Sequence, residues 1–214
     1  MPKFDRALAG GTSVSGWVLA PRSRRGNTNQ TNDYWNAITS VELGSYESIA
    51  TTVVGGTAQS TITFSSIPSI YKHLQIRILA RSNRAGVDDI FVVRFNSDTG
   101  ANYSRHFLLG NGTGTSSFGT ANETYILADG SSGASTAANV FGACVIDIVD
   151  YADTNKFKTV RALGAVEANG VSGYLTMISG NWRSSSAITS VTITSFYSGS
   201  WVQYSSFALY GIKG

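Results

Sequence analysis

The chain has 214 residues, of which 42% are hydrophobic and only 14% charged, with a net charge of +3. That is enough apolar material for one domain with a real core, while the small positive excess, partly held by Arg22, Arg24 and Arg25, is no basic stripe of the kind a nucleic-acid binder carries. A single cysteine, Cys144, excludes an internal disulfide framework and any multi-cysteine zinc site.

Residues 1–44 read as an extended arm. Gly10-Gly11, Gly16, Pro21 and the run GNTNQTND interrupt any period, and Phe4, Leu8, Trp17, Val18, Leu19 and Trp35 stand isolated. Such a segment cannot bury enough surface to fold alone. Isolated aromatic and aliphatic anchors (Phe4, Leu8, Trp17 and Trp35) suggest docking on a partner surface instead. No unbroken apolar run marks an export signal in the first residues, and no stretch approaches the roughly 18 residues of a membrane span, so membrane insertion is not expected.

From residue 45 to 214 the pattern is β. Thr, Val, Ser, Gly and Asn supply strands and turns, and no stretch shows helical periodicity beyond one turn. SYESIATTVV and STITFSSI are the first two expected strands. KHLQIRILAR then alternates cleanly, with Leu74, Ile76, Ile78 and Ala80 on one face and His73, Gln75, Arg77 and Arg81 largely on the other. Asp88-Asp89 reads as a turn pair before DIFVVRF. Residues 101–135 read as long loops with short strands near Phe107 and Tyr125.

NVFGACVIDIVDY is the longest apolar strand, with Cys144, Ile146 and Ile148 on one face, and it pairs with KFKTVRALGAV across ADTN. GYLTMISG, AITSVTITSF and WVQYSSFALYGI complete about ten strands. Turn signals at such short intervals indicate an all-β fold, an antiparallel β-sandwich of jelly-roll type.

Chemistry-bearing residues are few. Neither His73 nor His106 stands in a nucleophile motif, and no pair of carboxylates is spaced for glycoside cleavage. No catalytic residue and no cofactor is assigned. Asp150-x-x-Asp153-x-Asn155 offers hard oxygens, but the calcium-loop glycine and glutamate are missing, and turn capping explains the same residues; no metal site is expected. GNGTGTSSFG reads as a flexible loop, not a phosphate cradle. Aromatics beside polar turns are the candidate binding residues: Tyr103, Phe118, Trp182 and Tyr197, each with sandwich core as the alternative. Trp201, in register with Phe207 and Leu209, reads as core.

The runs FSSIPSIYKHLQIRILARS, FNSDTGANYSRHFLLGNG, VIDIVDYADTNKFKTVRALG, ISGNWRSSSAITSVTI and QYSSFALYGIKG resemble, in that order, a domain of tailed-bacteriophage virion proteins over about residues 46–214. The resemblance implies a virion protein and no enzyme, assembled in the bacterial cytoplasm. Its partners would be tail or capsid subunits, further copies of itself in a trimer, and a host cell-surface glycan. It implies either a tail appendage presenting the sandwich to the host or a capsid decoration protein.

Overall fold

The computed structural model describes residues 45–168 and 173–214. The expected arm, with Phe4, Leu8, Trp17 and Trp35, lies outside the described residues. Within them every regular element is a strand: β1 (Tyr46–Val53), β2 (Thr61–Phe64), β3 (His73–Ala80), β4 (Asp88–Phe95), β5 (Tyr103–Gly110), β6 (Thr115–Glu123), β7 (Ile126–Ser132), β8 (Gly142–Val149), β9 (Lys158–Val166), β10 (Tyr174–Trp182), β11 (Val191–Ser195) and β12 (Ser206–Ile212).

The strands form two sheets in which every neighbour is antiparallel. The larger has eight strands in the order β1-β12-β3-β8-β9-β10-β5-β6, and the smaller has four in the order β2-β11-β4-β7. The two hairpins β5–β6 and β9–β10 both lie in the larger sheet. Without them the chain changes sheet at every connection except the one from β4 to β7, leaving β1-β12-β3-β8 facing β2-β11-β4-β7.

Period-2 alternation builds the core. Leu74, Ile76, Ile78 and Ala80 of β3 and Cys144, Ile146 and Ile148 of β8 turn inward, as their spacing predicts, and are buried. From the smaller sheet Ile62, Phe64, Phe91, Val93, Phe95, Val191 and Ile193 meet them. Two aromatic groups fill the ends. Phe91, Trp201 and Phe207 lie with ring centroids 5.1–6.3 Å apart. Phe95, Tyr103 and Trp182 lie 5.6–6.3 Å apart. Each ring pair adds about 0.5–1.5 kcal/mol beyond the area it buries.

Where β7 crosses the inner face of β8 and β9, the backbones touch. A Cβ on Gly164 would collide with the Asp129 carbonyl, and one on Gly130 with the Ala143 carbonyl. Gly130 also has φ +120°, a conformation open only to glycine. These glycines set the sheet separation there.

Three expectations are corrected. Residues 101–135 hold three strands, β5, β6 and β7, rather than long loops with short strands near Phe107 and Tyr125; β6 is the addition, and β5 and β7 are longer than expected. GNGTGTSSFG forms the tight β5–β6 turn and the start of β6, closed by the Asn111 amide donating to the Gly114 carbonyl at 3.2 Å. Asp88-Asp89 is no turn: both residues lie in β4, and the buried Asp89 carboxylate accepts hydrogen bonds from the Ser195 hydroxyl at 2.8 and 2.9 Å.

Candidate interaction surface

The outward positions of the larger sheet line up by register. One row reads Arg77, Val145, Leu163, Met177, Leu108, Ser117 across β3, β8, β9, β10, β5 and β6. The adjacent row reads Leu79, Ala143, Ala165, Leu175, Gly110, Thr115. A third reads Gln75, Asp147, Arg161, Ser179, His106, Gly119. Two apolar rows thus run beside a polar one. Leu163 is 50% exposed and Met177 58%, and Leu79, Leu108 and Leu175 are similarly open. The surface dips here into a depression of about 670 Å³ whose lining includes Leu108, Val145, Leu163 and Met177.

The polar row is tied together. Gln75 donates to Asp147 at 2.8 Å, and Arg161 lies 3.7 Å from the same carboxylate. Arg77 donates to Gln75 at 2.8 Å and lies over the rings of Tyr46 and Tyr210 at 5.7 and 5.3 Å. An apolar centre with an ordered polar flank is the anatomy of a protein contact surface.

The four aromatics expected to bind ligands separate into two kinds. Tyr103 and Trp182 are corrected to core residues. Tyr103 is fully buried, its hydroxyl accepting from the Phe95 amide at 3.2 Å and donating to the Asp98 carbonyl at 3.2 Å; burial pushes its pKa up to about 12. Trp182 is also buried, and its indole N–H donates to the Asp98 carboxylate at 2.7 Å. These rings sit beside polar turns because their polar ends need partners there.

Phe118 and Tyr197 are exposed, but on different parts of the molecule. Phe118 packs on Phe107 at 5.8 Å with Arg105 over both rings. Tyr197 ends a cluster with Phe196 and Tyr125, with centroid separations of 5.0 and 6.1 Å. Arg84 lies 3.5 Å over Tyr197 and bonds Asp88 at 2.8 Å, and Arg94 lies 5.3 Å over Tyr125.

The Asp150–Asn155 turn is occupied by its own lysines. Lys156 reaches Asp150 at 2.7 Å and Asp153 at 3.2 Å, and Lys72 reaches Asp150 at 2.9 Å. Hydrogen bonds from Lys156 and Lys72 pull the Asp150 pKa down to about 2. Asp153 accepts from the Asn155 amide at 2.8 Å, the turn cap expected of it. The described residues contain no group of three or more His, Cys, Asp or Glu side chains placed to hold a metal ion. Of the histidines, His106 is exposed, whereas His73 is half-buried, its Nδ1 accepting from the Asp150 amide at 3.0 Å.

Lys158 is an internal strut. It is fully buried and donates to the carbonyls of Asp153, Lys156 and Ser185 at 2.5, 2.7 and 3.2 Å, which uses all three of its protons. Asp129, on β7, has its pKa pushed up to about 6 by burial, against the opposing charge of Arg105 and a hydrogen bond from Thr176.

The apolar rows were missed by sequence reasoning, though a signal existed. In RALGAV and YLTMIS both alternating positions are apolar, which marks a strand with no wet face. A scan against protein-family models finds no match to this chain, and searches of curated proteins and of solved structures find none either.

Proposed function

We propose that this chain is a structural binding protein and not an enzyme: a jelly-roll component of a bacteriophage virion that meets a neighbouring virion protein through the outer face of its larger sheet. The observation that carries the contact is the pair of apolar rows through Leu163, Met177 and Leu108. Leaving such side chains in water forgoes about 25 cal/mol for each Å² a partner would cover. The strand orders β1-β12-β3-β8 and β2-β11-β4-β7 support the jelly-roll reading, since eight strands in two four-stranded sheets are its arrangement. The virion setting rests on the resemblance of residues 46–214 to virion domains.

A tail appendage is the first reading. The Tyr125–Phe196–Tyr197 cluster favours it, because exposed rings beside Arg84 and Arg94 suit a host-surface glycan. Capsid decoration is the second, favoured by the threonines Thr61, Thr63, Thr192 and Thr194 that the smaller sheet turns outward. Immunogold electron microscopy of particles with antibody to residues 45–214 separates them. Label on the tail supports the appendage, label over the head supports decoration, and particles carrying none of the chain overturn both.

A further inference from the structure

We propose that the free edge of β6 pairs with the same edge of a second copy, joining two larger sheets into one across a two-fold axis. This goes beyond the virion reading and does not depend on it.

Each sheet edge in the described residues is guarded except this one. β1 carries a bulge between Ser48 and Ala50 and an ion pair from Glu47 to Lys213 at 2.6 Å. β2 has only four residues. β7 is pressed onto β8 and β9, its backbone at Asp129 and Gly130 against Gly164 and Gly142. β6 is nine residues long, has no proline, and carries no charge from Thr115 through Asn122. Charges, prolines, bulges and shortness are the devices that stop a strand edge from pairing with another chain; from Thr115 through Ala121 β6 has no charge, proline or bulge, its one register shift lying beyond that span at Asn122.

The backbone geometry suits a like partner. Asn111 and Gly114 form a hydrogen-bonded pair, so antiparallel alternation directs Ser116, Phe118 and Thr120 toward β5. Thr115, Ser117, Gly119 and Ala121 then present their amides and carbonyls to the open edge. All four side chains are small, which lets a second backbone approach to the usual strand spacing of about 4.8 Å. An uncharged edge does not repel its own copy, and an antiparallel pair has the two-fold symmetry an isologous contact needs. With Phe118 at the axis, each half-exposed ring gains the other as a cross-strand neighbour, extending the Phe107–Phe118 stack.

The test is sedimentation velocity of the full chain through the micromolar range, with amide hydrogen exchange read at single residues. The expected species is a dimer of twice 22.7 kDa, with the Ser117 and Gly119 amides slowed on association. Ser117→Lys, which sets a charge on the edge without touching the β5 hydrogen bonds, is expected to weaken association at least tenfold and restore fast exchange at Gly119. Ala121→Lys is expected to do the same, so the test survives if one variant fails to fold. A chain that stays monomeric overturns the proposal. So does a dimer or trimer whose mass is indifferent to both lysine variants, or fast exchange at Ser117 and Gly119 in the associated wild type.

Discussion

Leu163 and Gly164 are neighbours in β9, yet they belong to two different surfaces. Gly164 faces inward, where the Asp129 carbonyl leaves no room for one more carbon. Leu163 faces outward, half in water among the described residues. One residue of pleat separates a face packed against the opposing sheet from a face left half in water among the described residues. If the proposed contact uses the outer face, stability and association are carried by opposite sides of the same strands, and substitutions should sort by side and not by position in the sequence.

The largest effect should come from the inner side of β8. Ile146 is fully buried against the core, and Ile146→Asp places an unpaired carboxylate there at a cost of several kcal/mol. The expected outcome is loss of the cooperative thermal transition. A near-wild-type melt would break the inner-face assignment.

Next comes the pair itself. Gly164→Ala forces the backbones of β7 and β9 apart and should cost about 1–3 kcal/mol. Leu163→Ser, one residue away, should change stability by no more than about 0.5 kcal/mol. Chemical denaturation of both variants checks this, and equal losses would erase the contrast between faces.

A last effect, comparable in size to that of Gly164→Ala, is pH-dependent and sharpens the inner side further. The pKa of Asp129 is raised from 3.8 to about 6 by burial, so the fold prefers its neutral form. Its contribution is complete below the unfolded value and is lost as pH rises through about 6. Asp150 has the opposite sign: held down to about 2 by Lys156 and Lys72, its contribution is present above its ordinary value and lost as pH falls through about 2. Asp129→Asn should therefore melt higher than wild type at pH 8 and nearly level with it at pH 4. Two units correspond to about 2–3 kcal/mol at the upper end. An unchanged difference between the two pH values would mean that Asp129 is solvated.

Much of the fold was legible. The alternation of KHLQIRILAR and CVIDIV identified β3, β8 and their inner faces, because period 2 is a local property of the chain. β6 was not legible: TSSFGTANE has one large apolar residue, and its strand character comes from pairing with β5. β7, ILADGSS, was legible only at its start beside Tyr125, because its glycine reads as a break until Ala143 is seen against it. Strand order and the crossing of β7 over β9 depend on residues far apart in sequence.

The binding aromatics divided for a related reason. A ring beside a polar turn looks alike in sequence whether it stacks on a ligand or, like Trp182, is buried and sends its N–H to a carboxylate of the turn. The exposed rows of Leu163, Met177 and Leu108 became a surface only when register placed three strands side by side.

The central claim is that the outer face binds a virion partner. Its most direct test is incorporation of the Leu163→Glu, Met177→Glu double variant into particles, quantified by immunoblot against wild type. Both side chains are half-exposed, so the variant should keep the wild-type melting transition while its incorporation falls at least tenfold. A folded double variant found in particles at the wild-type level would contradict the account.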